Sequence, residues 1–299
     1  MTRAEVADTK CEVVVIIPLF RQPALFSEAI ASVLAQRDAP ALRIIVVIDG
    51  CVYQQSLDAA MSWARAHAPR LAVLVQPNGG VAAARNAGIR FARQAWPDCR
   101  AFFFLDADNR IGPHFLRRAW DTLFAAAPEV GWAYPDFDLV GIGGAWSTAG
   151  RHHLLQHMAE NVCDAAALVR REVCEAGIGF DETLRAGFED WDFFLRAAGA
   201  GFRGVHLPQA GFSYRRRPES MLSEARRDRA ALLSALHKRH PVLYAPRSIL
   251  ALEHREAPRF ALFEPEAAVA CLDPDAPPPA GTQDALLARL AAARRTPGR

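Results

Sequence analysis

The stretch AFFFLDADN, residues 101–109, joins an apolar run to two carboxylates one residue apart. Phe102–Leu105 is too short for a helix and rich in aromatics, so it predicts a buried strand. Residues two apart in an extended chain point the same way, which would bring Asp106 and Asp108 together. Two converging negative charges repel unless something positive sits between them. Two readings stand side by side. Asp106, Asp108 and Asn109 form Asx turns ahead of a helix whose first turn takes Pro113. Alternatively the two carboxylates hold a divalent cation, Mg²⁺ or Mn²⁺, ions that favour oxygen ligands and are often shared with a substrate phosphate.

Working outward, the segments CEVVVIIPLF (11–20), LRIIVVIDG (42–50) and LAVLVQPNGG (71–80) read as buried strands. Between them PALFSEAIASVLAQ (23–36), QSLDAAMSWARAHA (55–68) and VAAARNAGIRFARQAW (81–96) have helical spacing. This alternation predicts βαβ units, hence an α/β fold with a mostly parallel, Rossmann-like sheet flanked by helices on both faces. Right-handed crossovers place the strand C-termini on one rim, and ligands of open α/β sheets bind beyond that rim. Asp49, then Asn78-Gly79-Gly80, then Asp106 and Asp108 all fall there.

Past residue 130 the pattern changes. WAYPDFDLVGIGGAWSTAG (132–150) reads as strands and loops, and HHLLQHMAENVCDAAALVRREVCEAG (152–177) as helical around a short strand. GFEDWDFFLRAAGAGF (187–202) reads as a helix with acids at its start, closed by Gly199 or Gly201, and FRGVHLPQAGFSYR (202–215) as a final strand pair. From about residue 264 the chain is rich in Pro and Ala, and DALLARLAAARR (284–295) is a weak amphipathic helix. The expected division is a polar tail at 1–10, one domain at 11–245 and an extension at 246–299.

Hydrophobic residues make up 51% of the 299, ample for a packed core, so general disorder is set aside. Lys and Arg number 35 against 33 Asp and Glu, a net charge of +2 that supplies no reason for nucleic-acid binding. Six scattered cysteines without a CxxC pair suggest reduced thiols. The polar start MTRAEVADTKCE lacks a signal-peptide core, and no apolar run nears the ~20 residues of a membrane span. A cytoplasmic chain is expected, with peripheral contact at the inner membrane face left open.

Further candidates each carry two readings. Glu189, Asp190 and Asp192 suit the first turn of a helix, where the dipole favours negative charge. A carboxylate beside Trp191 could equally be a general base for a hydroxyl. Arg85, in the helix after the Gly pair, is either a solvated charge or a group near a phosphate drawn to that helix N-terminus. The run Arg215-Arg216-Arg217 is either a solvated loop or a clamp on a diphosphate. His152, His153 and His157 invite a zinc reading, since i and i+4 share a helix face, but with no acidic or thiol partner assigned to them a zinc site is set aside.

Taken together these motifs resemble the family 2 glycosyltransferases, inverting enzymes with the GT-A fold, over roughly residues 12–222. VVVIIPLF with Pro18 looks like the family's opening strand, and VVIDG like its nucleotide-binding strand end. NGGVAAARNAGI is similar to its Asn-x-Gly…Ala-Arg-Asn-x-Gly segment, FLDADN to its DxD element, and RREVCEAGIGFDE with EDWD to its RRE…GGFDE and EDWD stretch. SYRRRPESM looks like its closing loop. The resemblance implies that Asp49 contacts the nucleotide base, that Pro18, Asn78, Gly80, Arg85, Ala107, Arg215 and Arg217 line the donor site, and that Asp106 and Asp108 hold the metal-bound diphosphate with Mn²⁺ or Mg²⁺. It makes Asp190 the base, with Glu189 beside it, acting on a nucleotide-diphosphate sugar and a carbohydrate or lipid-linked acceptor. Tyr134–Phe137 and the GIGGAWSTAGRHH loop would shape the acceptor side. Ile48, Cys51, Phe20 and Arg21 depart from the family's usual residues, and Arg217 stands where a histidine often reaches the metal.

Two other classes compete. A non-catalytic relative that binds sugar nucleotides or carbohydrate would keep the fold. A haloacid-dehalogenase-type phosphatase also ends a strand in DxD, but it wants a lysine after that strand and before the sheet's last one, where this chain has none.

Overall fold

The computed structural model describes residues 10–141, 145–146, 152–215, 229–256, 260–261 and 270–271. Residues 1–9 of the expected tail, most of the GIGGAWSTAGRHH loop, Arg217 and the expected helix at 284–295 lie outside them.

Strands β1 (Val13–Leu19), β2 (Leu42–Asp49), β3 (Leu71–Gln76) and β4 (Ala101–Phe104) alternate with helices α1 (Pro23–Leu34), α2 (Gln54–Ala66) and α3 (Val81–Ala95). All four strands run parallel, with β1 between β2 and β4 and β3 outside β2. Continuous Val/Ile/Phe runs form β1, β2 and β4 because both faces of each are buried, while β3 at the sheet edge is only partly covered. The side-chain period of two is visible in the packing. Val13, Val15 and Ile17 join a core with Phe26 and Ile30 of α1, whereas Val14 and Ile16 join the opposite core with Ala84 and Ile89 of α3.

The second half completes a mixed sheet. It supplies β5 (Arg110–Ile111), α4 (Phe115–Ala125), β6 (Val130–Val140), β7 (Ala145–Trp146), α5 (Leu154–Ala159), β8 (Leu168–Arg170), α6 (Arg171–Glu175), α7 (Glu189–Gly199) and β9 (Arg203–Arg215). The order is β3-β2-β1-β4-β8-β6-β9-β5, with β7 on β6. The expected pair at 202–215 is one strand. Gln209 (φ 48°) and Gly211 (φ 76°) bend it without reversing it, and its register on β6 shifts between Pro135 and Phe137. That bend lets β9 pair parallel with β6 and antiparallel with β5. Tyr134 and Phe137, expected to shape an acceptor surface, are buried in the sheet, Phe137 stacked on Tyr214 at 5.2 Å.

Packing continues past residue 245, where the sequence suggested a boundary. Helices α8 (Arg229–Arg239) and α9 (Pro246–Glu256) bring Leu236 and Leu252 against Trp191, Leu195 and Met158. The Glu256 carboxylate accepts the backbone N–H groups of Leu154 and Leu155 at the start of α5, 3.3 and 3.0 Å away.

Gly88 sets how closely α3 lies on β1. A Cβ there would sit 2.5 Å from Ile16 Cγ2. Gly88→Ala is therefore expected to cost about 1–3 kcal/mol by overpacking, read as a lower urea midpoint at unchanged m-value. A wild-type midpoint would mean that the helix can lift off the strand freely.

Candidate active site

Several of the expected residues gather at the rim beyond β1, β2 and β4. Asp49 is 4% exposed. Its Oδ1 accepts from the Gly79 N–H and from Gln76 Nε2, and its Oδ2 from the Gly80 N–H, each at 2.8 Å. The anion at the head of α3 is thus the protein's own carboxylate, and these two amides face it and not a phosphate. Asn78 Nδ2 adds a bond to the Asp49 carbonyl at 3.0 Å. Gly50 (φ 62°) is required here because a Cβ would meet the Asn78 nitrogen at 2.4 Å. Arg185, which the sequence did not single out, lies over this loop with its Nη2 2.9 Å from Asn78 Oδ1.

The convergence expected of Asp106 and Asp108 from strand alternation does not arise that way. Strand β4 stops at Phe104, and the Asn109 N–H bonds back to the Asp106 carbonyl at 3.0 Å, closing a turn. Asn109 is 2% exposed and its Oδ1 accepts the Arg215 N–H at 2.9 Å, so β9 fastens the turn from behind. The Arg215 guanidinium faces Glu28 (2.9 Å) and the Asp108 carbonyl (3.3 Å), where it braces the same turn. Pro18 and Ala107 are half-buried at the rim.

The positive charge beside Asp106 is Arg85. It is no solvated helix charge, being 3% exposed. Its Nη2 bonds Asp106 Oδ1 at 2.9 Å and its Nη1 bonds Glu189 Oε1 at 2.8 Å, while the guanidinium lies 5.0 Å over the Phe180 ring. Burial alone would lower the Arg85 pKa, but Asp106 and Glu189 outweigh it and hold the cation. One side chain therefore ties the turn after β4 to the first residue of α7.

Asp190 follows Glu189, and its Oδ1 accepts the Trp191 N–H at 2.7 Å and its Oδ2 Asn161 Nδ2 at 3.1 Å. Burial, then the charges of Glu189 and Asp164, push its pKa well up. Asp164, half-buried before β8, is pushed up to about 7 by burial and then by Asp106. Tyr214 is raised by burial and by Asp164, Asp106, Asp190 and Asp108, which places all of these around one cleft. Asp164 and Asn161 escaped the sequence reading, since the only signal was polar residues just before a buried strand. Asp192, third acid of the helix start, faces away: Arg196 Nε, His240 Nε2 and Arg239 Nε reach it at 2.8, 2.9 and 3.3 Å. Burial pushes Asp192 up, but the bonds from His240 and Arg196 prevail and its net shift is downward.

Two half-buried carboxylates in one turn, Asp106 with only Oδ1 used by Arg85, suit a hard cation that takes its remaining ligands from phosphate and water. No group of three or more metal-capable side chains is assembled among the described residues. The histidines are core. His157 is fully buried with Nδ1 4.0 Å from Cys163 Sγ, a thiol partner six residues further along the chain that the sequence reading did not assign. Burial drives His157 far down, His152 down to about 3 and the Cys163 thiol up, so they stay neutral.

A model of glycosyl transferase family 2 matches residues 14–217. The chain belongs to that family. Among curated members it is 28% identical over 237 residues to the succinoglycan biosynthesis protein ExoO of Rhizobium meliloti, covering 73% of this chain and 64% of that protein. It is 27% identical over 230 residues to the uncharacterized glycosyltransferase EpsJ of Bacillus subtilis, covering 69% and 62%. The match thus spans less than two thirds of either relative. Among solved structures, S. aureus TarS 1-349 in complex with UDP superposes with a TM-score of 0.61 at 20% identity, over 81% of this chain and 68% of that one. Mannosyltransferase PcManGT from Pyrobaculum calidifontis, in complex with GDP-Man and Mn²⁺, superposes at 0.51 and 20% identity, over 97% and 82%. The family's GT-A fold is therefore the fold of this chain, and the phosphatase alternative falls. No described helix is long and apolar enough to cross a membrane.

Proposed function

We propose that this chain transfers a sugar from a nucleotide-diphosphate donor to an acceptor hydroxyl, with inversion and with Asp190 as the general base. The observation that carries this reading is the Asp106–Arg85–Glu189 bridge, which couples the turn proposed to hold the donor's diphosphate to the residue beside the base. Asp190 is oriented at both oxygens, and burial with the charges of Glu189 and Asp164 raises its pKa, which makes it a stronger base than an ordinary carboxylate. A single base without an enzyme nucleophile implies one displacement and inversion. Asp106 and Asp108 would hold Mn²⁺ or Mg²⁺, which when bound supplies positive charge against the departing diphosphate. Asp49 shapes the donor loop through Gly79 and Gly80 in addition to any base contact, and Asn78, Arg185 and Arg215 brace the rim. Arg217, outside the described residues, remains assigned to the donor by resemblance. The acceptor is proposed as a carbohydrate or lipid-linked glycan, met in the cytoplasm with peripheral contact at the inner membrane face.

UDP-GlcNAc and GDP-mannose head the panel of donors to assay with and without Mn²⁺, since structural neighbours were solved with them. Turnover of any nucleotide sugar supports the reading; none across UDP, GDP, ADP and dTDP sugars leaves the non-catalytic relative. Asp106→Ala should remove the Mn²⁺ enhancement of nucleotide binding in calorimetry, and an enhancement equal to wild type would exclude the metal role.

A further inference from the structure

We infer that Asn161 is a positioning residue for Asp190, an inference that rests on the base assignment above. Its amide Nδ2 lies 3.1 Å from Asp190 Oδ2, while the Trp191 N–H holds Oδ1 at 2.7 Å. A carboxylate fixed at both oxygens cannot rotate, so its free lone pairs keep one direction. Both anchors are themselves held. Trp191 is 1% exposed and donates its indole N–H to the His157 carbonyl at 2.6 Å. Asn161 follows α5, whose Met158 carbonyl accepts the Tyr244 hydroxyl at 2.8 Å and whose first N–H groups bond Glu256.

The Asn161 Oδ1 is buried and has no hydrogen-bond partner among the described residues. An unmet acceptor is costly unless something uses it. An ionised Asp190 needs a donor, which Nδ2 supplies. Once Asp190 has taken the acceptor's hydroxyl proton it carries an O–H, and the amide turned over offers Oδ1 to receive it. One residue can thus serve both protonation states of the base.

The surroundings make that donor matter. Glu189 on α7 and Asp164 on the segment before β8 face Asp190 and oppose its ionisation, and Arg85 on α3 favours it. The Cys163 thiol and the Tyr214 phenol, both held neutral, feel the same carboxylate. Against two acids, the ionised form rests on Arg85, the Trp191 N–H and Asn161.

The test needs no sugar donor. In the full chain labelled with ¹³C at aspartate carboxyls, the Asp190 signal is assigned by its absence in Asp190→Asn and titrated by NMR. Asn161→Ala is expected to raise its midpoint by about one pH unit, the worth of one charge-assisted hydrogen bond. Asn161→Asp, of equal size, is expected to raise it further by adding a negative charge. UDP affinity with Mn²⁺ should stay within about twofold in both, because Asn161 faces the base and not the donor turn. Mere loosening would admit water and lower the midpoint, so an unmoved or lowered midpoint in both variants overturns the inference. Asp190→Asn with full turnover on the donor panel would remove the base assignment and this inference with it. An inactive Asp190→Asn with unmoved midpoints removes this inference alone.

Discussion

Arg85→Ala is expected to cost about 3–5 kcal/mol of folding stability, because it strips the counter-charge from buried Glu189 and half-buried Asp106 at once. Loss of activity should accompany it. Without the guanidinium the turn after β4 and the start of α7 repel across the cleft, and a displacement near 1 Å at the reacting groups suffices for about a 10²-fold loss. Arg85→Lys keeps the charge but not the fork that reaches two carboxylates, so it should fall between. Urea unfolding followed by donor turnover reads both effects. An alanine variant within about 0.5 kcal/mol of wild type would behave like a surface substitution and would contradict the bridge.

Asp190→Asn is expected to lower turnover about 10²–10⁴-fold while leaving the fold intact. Asparagine keeps the size of the side chain, and its loss of charge relieves repulsion with Glu189 and Asp164, so thermal stability should hold or rise. Near-normal turnover would dismiss Asp190 as the base. The pH dependence follows from the same shifts. A base works only when ionised, so wild-type turnover should fall as pH drops through the raised value of Asp190. Asp164, near 7, shares the cleft, and the two would titrate as a coupled pair. For stability the sign is opposite to that of a salt-bridged acid. Carboxyl groups raised above the unfolded value of about 3.9 bind more protons when folded, so their contribution is greatest at low pH. It is lost as pH rises through the window up to about 7 for Asp164. The decline should be shallower in Asp190→Asn, and an identical slope in thermal melts between pH 4 and 7 would argue against the shift.

Much of the first half of the fold was legible because its signals are local. VVVIIPL and LRIIVVID are buried on both faces, and such runs can only be interior parallel strands once helices alternate with them. The final strand was misread as a pair because Pro208 and Gly211 carry turn chemistry whose outcome depends on β5 and β6 lying alongside. The turn at Asp106–Asn109 illustrates the same limit. Strand alternation holds only in an extended chain, whereas the Arg215 N–H, from far along the sequence, fastens a turn there.

By itself the sequence determined the α/β class, the rim where polar residues gather, and the residue types that resemble a family 2 glycosyltransferase. Periodicity and spacing are short-range properties and can be read along one chain. Only the tertiary structure decided what each charged group meets. Asp49 answers two glycine amides, Arg85 answers Asp106 and Glu189, Asp192 answers His240, and Asn161 answers Asp190. The physical reason is that the energy of a charge depends on its burial and on partners within a few ångströms. In this fold such partners lie far apart in sequence, Arg85 and Glu189 by 104 residues and Arg215 and Glu28 by 187.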